Sequence, residues 1–292
     1  MSTLGKLEKI RIFERYDFYY LKNDKYVGQR IALEKYEPYE TELILRQAKS
    51  GDVVVDVGAN IGYYTVLLAN KVGPNGKVYA FEPDSTNFEI LKKNIEANKL
   101  ENVVMVNAAV SNKNGVSYLY KSKENYGDHK LIKNPLVDKS TSSLKKGGSL
   151  REKIKTVKLD DYLKNQKVNL MKVDTQGWEP AVFEGAKKII EKNKPIIFFE
   201  YSPASYKLAK LDGSKMMNWL KKIYKKFWWI DEWLYIYKNL DKKKIDRICK
   251  TNKTGYADLW VKNESNFGDK IGQIKNIKIK KLIKKILGYE NN

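Results

Sequence analysis

The residues best able to do chemistry fall in a few short stretches. Asp56-Val57-Gly58-Ala59-Asn60-Ile61-Gly62 continues the apolar run Val53 to Val57 and opens a helical pattern that extends to Asn70. A glycine such as Gly58 lets the chain turn tightly and lets a ligand approach the backbone with no Cβ in the way. The carboxyl ends of parallel strands are where α/β folds bind ligands. Glu82, in Phe81-Glu82-Pro83, closes the next apolar run. A carboxylate about 20 residues beyond a glycine loop accepts hydrogen bonds from both hydroxyls of a ribose.

Nicotinamide cofactors use the same geometry, and two details set this chain apart. The dinucleotide pattern has glycine where Asn60 stands. Asp56 repels a pyrophosphate but suits a ligand that carries an ammonium group and no phosphate, and S-adenosylmethionine is such a ligand. Its methyl group is already electrophilic, so transfer to an alcohol needs in-line positioning and a base near the hydroxyl. Asp174, just beyond the apolar run Val168 to Val173, is the first candidate base; an Asp near a helix start is also a common cap. His129 is the sole histidine, in Tyr126-Gly127-Asp128-His129-Lys130. Imidazole suits base work near neutral pH, and a solvated loop histidine is the plainer alternative. Glu200 closes Ile196-Ile197-Phe198-Phe199 and is placed to line an acceptor pocket. Glu179 reads as a partner for a helix dipole. One His and one Cys exclude the usual zinc cluster. Asp174-Thr175-Gln176 alone does not supply a magnesium set, so no metal is expected.

These residues need a scaffold that brings strand ends together. Short β-branched runs alternate with longer amphipathic ones, the pattern of βαβ units around a parallel sheet. Strands are expected at Val53 to Val57, Lys77 to Phe81, Asn102 to Asn107, Val168 to Val173 and Pro195 to Glu200. Helices are expected at Gly62 to Asn70, Ser85 to Asn98, Trp178 to Glu191 and Ala204 to Ile223. The aromatic run Phe227 to Tyr237 and the run Ala257 to Val261 suggest an antiparallel hairpin at one edge. By analogy this is an α/β, Rossmann-like, doubly wound and mostly parallel seven-stranded sheet of the class I methyltransferase type. Residues 1–49 read as a hairpin and a helix (Pro38 to Lys49) capping the sheet, and residues 50–268 as the main domain. Residues 111–150 are a polar insertion within it, suited to an acceptor loop. Residues 269–292 form a basic tail.

Five segments together resemble the FkbM-type methyltransferases: Tyr36-Glu37-Pro38-Tyr39-Glu40-Thr41, Val55 to Thr65, Phe81 to Asp84, Asn107 to Ser111 and Lys172 to Glu179. The resemblance implies a class I fold, S-adenosylmethionine as donor, and methylation of an oxygen, often on a sugar or natural product. It implies that Asp56, Gly58, Ala59 and Asn60 line the methionine end of the cofactor. Glu82, with Pro83 beside it, falls to the ribose, and Asn107 with Ala108 to the adenine. Tyr63 is read beside the sulfonium, where a ring face favours a cation, or as a core aromatic; Tyr64 is read as core.

The chain has 292 residues, 42% hydrophobic content and a formal net charge of +21. That is enough apolar content for a core, and no run of about 18 apolar residues suggests a membrane span. Met1 to Arg11 lacks the apolar centre of a secretory signal, and the lone Cys249 fits a reducing compartment, so a cytoplasmic protein is expected. Most lysines are scattered and read as solvated surface. Lys270 to Leu287 differs: it holds seven lysines and no acid, with isoleucines at helical spacing. Such a helix is suited to anionic lipid at the inner membrane surface, or it is a docked or frayed end. The leading reading is an O-methyltransferase for a small-molecule or glycan acceptor. An RNA methyltransferase, motivated by the charge, and a non-catalytic cofactor-binding scaffold are the alternatives.

Overall fold

The computed structural model describes residues 5–122, 127, 129–131, 151–231, 236–252 and 255–263. The basic tail and residues 132–150 of the insertion lie outside the described residues. The chain opens with the hairpin β1 (Leu7–Ile12) and β2 (Tyr16–Leu21), followed by α1 (Gly28–Ala32) and α2 (Pro38–Gln47). Next come β3 (Val53–Val57), α3 (Tyr63–Val72), β4 (Lys77–Phe81), α4 (Ser85–Ala97) and β5 (Val103–Val106). The region of the insertion contributes β6 (Ala109–Val110), β7 (Gly115–Tyr120), β8 (Lys130–Leu131) and β9 (Arg151–Val157). After α5 (Leu159–Tyr162) the chain returns through β10 (Leu170–Val173), α6 (Glu179–Gly185), α7 (Lys187–Asn193) and β11 (Ile196–Tyr201). It continues through α8 (Pro203–Leu208), α9 (Gly213–Ile223), β12 (Lys226–Asp231), β13 (Ile236–Asn239), α10 (Lys242–Thr251) and β14 (Ala257–Lys262).

The main sheet has the order β13-β12-β14-β11-β10-β3-β4-β5. Five neighbours, β11 to β5 in that order, run parallel, and β14 is antiparallel to both β11 and β12. Seven of these strands have the class I arrangement, and the sheet holds eight rather than the expected seven. The extra strand arises because the aromatic run divides into β12 and β13, which pair with each other. The sheet ends in the antiparallel edge hairpin β12–β13, and β14 threads between β11 and β12. Its residues are buried on both faces, which suits a strand with two neighbours better than a sheet edge. On one face Phe198, Trp260 and Trp228 lie side by side across three strands, their rings stacked at 5.4 and 5.8 Å. Such cross-strand aromatic pairs each contribute about 0.2–1 kcal/mol.

The strand run Val53–Val57 is buried on both sides. Val55 and Val57 face a core shared with α6 and α9, while Val54 faces a core shared with α3 and the N-terminal hairpin. The hairpin is fixed to α4 by Asn94, whose side chain bonds Tyr19 in both directions and also donates to the Ile61 carbonyl. The expected single helix at Trp178 to Glu191 is two, broken at Ala186; the preceding Gly185 packs against the Ser111 backbone with no room for a Cβ. Ala204 to Ile223 likewise divides into α8 and α9, with Lys210 between them at φ 55°. The four-stranded sheet β6-β9-β7-β8 gives the insertion a structure of its own. Among the described residues no helix is long and apolar enough to cross a membrane.

Candidate active site

Period-two alternation decides which side chains meet at the strand ends. Asp56 on β3 and Lys172 on β10 are register partners, so they share a face; Lys172 is also partnered with Phe198 on β11. Glu200 follows Phe198 by two residues and is paired in register with Asp258 on β14. The carboxyl edge of this face therefore carries an ionic row running through Asp56, Lys172, Asp174 and Glu200. The described residues hold no group of three His, Cys, Asp or Glu side chains arranged for a metal ion.

The loop after β3 is held by its own hydrogen bonds. The Gly58 and Ala59 N–H groups donate to the Phe81 carbonyl at 3.0 Å each, and the Gly62 N–H donates to the Ala59 carbonyl at 2.9 Å. The Asn60 N–H donates to Glu82 Oε2 at 2.8 Å, and the Ile61 N–H to Asn60 Oδ1 at 2.7 Å. Five consecutive amides thus point inward, whereas a phosphate-binding loop aims such amides at its ligand. Asn60 has φ 52°, a left-handed conformation that Asn tolerates, so it serves where other loops use glycine. Gly58, at φ 82°, faces the Asp174 backbone, and a Cβ there would overlap the Asp174 carbonyl oxygen. The glycine is required by contact between two chain segments as well as by the turn.

Glu82 is buried at the end of β4. Its second oxygen accepts from the Asp84 N–H at 2.8 Å, and each carboxylate oxygen retains a lone pair for a further donor. Burial pushes its carboxyl from 4.5 up to about 8, against the pull of these two amides. The folded value exceeds the unfolded one, so the stabilisation is complete below about pH 4.5 and is lost as pH rises through 8. Thermal unfolding of the ligand-free protein is expected to show Tm falling by about 5–10 °C between pH 5 and pH 9. Glu82→Gln is expected to flatten part of that fall, and an identical slope in the variant removes Glu82 as its source.

Asn107 turns its amide to the carbonyls of Glu82 and Pro83, at 2.9 and 3.3 Å. Its side chain therefore braces the wall of the expected adenine site, beside the buried Ala108. Tyr63 is 4% exposed and packs against Phe18, Tyr36 and Tyr64, and its hydroxyl accepts from Thr41 Oγ1 at 3.3 Å. Tyr64, expected to be core alone, is the ring that faces the ionic row. Its hydroxyl donates to Glu37 at 2.9 Å, and the Lys172 ammonium lies 4.5 Å from its ring centre.

Asp174 does not cap a helix. Its carboxylate receives Lys172 Nζ at 3.2 Å on one oxygen and Gln176 Nε2 at 2.8 Å on the other. Its own N–H donates to the Val57 carbonyl, which seats it against the Gly58 loop. Glu179 is buried and accepts from the Thr175 N–H and hydroxyl at 2.7 and 2.8 Å and from the Gly177 N–H at 3.1 Å. It is a clamp on the 174–178 turn more than a dipole partner. Burial pushes its carboxyl up to about 7. Gln176, held by this clamp at φ 54°, also reaches Glu200 at 3.5 Å. Burial, with Asp174 and Glu179 adding repulsion, raises the Glu200 carboxyl well above its ordinary range.

His129 is placed elsewhere. Its Nδ1 accepts from the Ser122 N–H at 3.1 Å, and its Nε2 lies 3.6 Å from Asp84. Lys121 pairs with the same Asp84 at 2.7 Å and with Glu152 on β9 at 2.6 Å. The described part of the insertion is thus docked beyond the end of β4. Strand β3 lies between β4 and β10, and two strand spacings of about 4.8 Å separate that position from Asp174. The imidazole therefore sits with the ion-pair cluster at Asp84, apart from Asp174. Lys172 and Gln176 were missed in the sequence. A lysine inside Leu170-Met171-Lys172-Val173 was the available signal, since a charge on a buried strand needs partners.

The methyltransferase FkbM domain matches residues 56–256, and the chain belongs to the FkbM methyltransferase family. The methyltransferase sdnD of Sordaria araneosa is 27% identical over 158 residues, covering 47% of this chain and 61% of that protein. The hexuronic acid methyltransferase AglP of Haloferax volcanii is 27% identical over 152 residues, covering 51% of this chain and 56% of its own. The matched region thus spans about three fifths of the length of these relatives. Among solved structures, a methyltransferase FkbM from Methylobacillus flagellatus aligns over 73% of this chain and 44% of that one, with 16% identity and a TM-score of 0.44.

Proposed function

We propose that this chain is an S-adenosylmethionine-dependent methyltransferase that methylates a hydroxyl oxygen of a sugar or other small polyhydroxylated acceptor. The observation that carries the reading is the loop after β3, in which five amides are already taken by internal acceptors between the two acids Asp56 and Glu82. Such a loop offers carboxylates and no phosphate cradle, which suits a donor with ammonium and sulfonium charges and a free ribose. Family membership supports the reaction class, and the name of the AglP relative supports a sugar as the acceptor.

The donor supplies an electrophilic methyl group; the chain's own residues bind, orient and deprotonate. In this assignment Glu82 receives the ribose hydroxyls, and Pro83, Asn107 and Ala108 form the adenine wall. Gly58, Ala59 and Asn60 shape the methionine end. Asp56, 1% exposed and bonded to the Thr65 hydroxyl at 2.6 Å, supplies negative potential from beneath. Asp174 is the base, and Glu200 lines the acceptor side.

The test is calorimetric titration with S-adenosylmethionine, S-adenosylhomocysteine and NADH. Saturable binding of the first two alone is expected, weakened at least tenfold in Glu82→Ala and in Asp56→Ala, followed by methyl transfer in a panel of sugar glycosides. No binding at millimolar S-adenosylmethionine, or preferential binding of NADH, overturns the assignment.

A further inference from the structure

Lys172 has no part in the binding just described, yet it is 4% exposed in the middle of a five-strand parallel array. A buried ammonium is retained only where carboxylates and hydrogen bonds replace its water. Here Asp174 lies 3.2 Å away at its own strand end and Asp56 is its register partner on β3, while Glu37 and Glu40 at the start of α2 act on it electrostatically. Tyr64 of α3 places its ring 4.5 Å away, and Glu200 at the end of β11 feels the same charge. Glu37 is tied to this group through the Tyr64 hydroxyl.

We propose that Lys172 is a positioning residue of the methyl-transfer site: its ammonium gathers the carboxylates of β3, β10 and α2 around one centre and holds Asp174 turned toward the acceptor. One oxygen of Asp174 is held by Lys172 and the other by Gln176, so the carboxylate plane is fixed from both sides. Without the ammonium, Asp56 and Glu37 lose the positive charge that holds their proton affinity down, and protonation of both is favoured. Burial opposes the charge of Lys172, but Asp174, Glu40, Glu37 and Asp56 together outweigh it and raise its proton affinity. The Asp56 carboxyl is pushed up by burial and is held back chiefly by Lys172. The role as stated rests on the proposed methyl transfer, but the coupling exists without any cofactor.

The experiment is carried out on the ligand-free full chain, so it can succeed where donor binding fails. Carboxyl carbon NMR of aspartate-labelled protein, with the Asp56 signal identified by its loss in Asp56→Asn, is recorded from pH 3 to pH 9. In Lys172→Met the Asp56 midpoint is expected to rise by at least one pH unit, and in Lys172→Arg to return to within half a unit of wild type. An Asp56 midpoint unmoved in a folded Lys172→Met protein overturns the proposal. Should that variant not fold, the coupling is read in reverse, because linkage is reciprocal. Lys172 in Asp56→Asn must then lose its proton at a lower pH than in wild type, and an unchanged lysine titration overturns the proposal equally.

Discussion

Gly58→Ala is expected to abolish measurable S-adenosylmethionine binding and to lower the unfolding free energy by about 3 kcal/mol, within the range of a severe single substitution. Two effects add. The φ of 82° costs an L side chain about 1–2 kcal/mol. The new Cβ also meets the backbone oxygen of Asp174, which has no flexible end to retreat. Relief requires the β3 loop and the β10 loop to separate, and this breaks the Asp174 N–H bond to the Val57 carbonyl. The amides of residues 58 and 59 both bond Phe81, so the displacement reaches Glu82 next to it. Calorimetry and chemical denaturation check both parts. A Gly58→Ala protein that binds the donor within threefold of wild type shows that the contact between the loops is dispensable.

The fold was legible where burial leaves a one-dimensional trace. Val53–Val57 and Lys77–Phe81 coincide with their apolar runs because parallel strands covered on both faces need apolar residues almost throughout. The helix breaks at Ala186 and near Lys210 left no such trace, and the close approach of Gly185 to the distant Ser111 backbone left none either. The surroundings of Tyr63 and Tyr64 left no trace for a related reason. Both lie in the first turn of a helix buried nearly all round, and only the positions of Tyr36 and Lys172 tell which ring meets another ring and which an ammonium. His129 was drawn to Asp84 by a cluster with Lys121 and Glu152 whose members are far apart in sequence. Lys172 was legible in principle: the period-two pattern that located β10 also puts this lysine on the face of Asp56.

Asp174→Asn is expected to reduce the rate of methyl transfer by about 10²–10⁴-fold, the usual contribution of a positioned general base, with donor affinity changed by less than about threefold. Asparagine keeps the shape of the side chain, and the backbone bond to Val57 does not depend on it. The binding loop after β3 therefore stays as it is. What is lost is proton acceptance, together with the alignment supplied by Lys172 and Gln176: an amide offers only one oxygen to two donors that now approach from opposite sides. A loss confined to the chemical step appears in kcat and kcat/KM alike, so the two constants, measured beside a calorimetric Kd for S-adenosylhomocysteine, separate this from damage to binding. Glu200 is the competing acceptor of the proton, since Gln176 connects it to Asp174. Burial and the neighbouring Asp174 and Glu179 raise its proton affinity, which favours the protonated form, and in that form it donates a hydrogen bond instead of accepting a proton. Glu200→Gln, which preserves that donor capacity, is therefore expected to cost far less than Asp174→Asn. The opposite ranking assigns the base to Glu200 and leaves Asp174 as its neighbour.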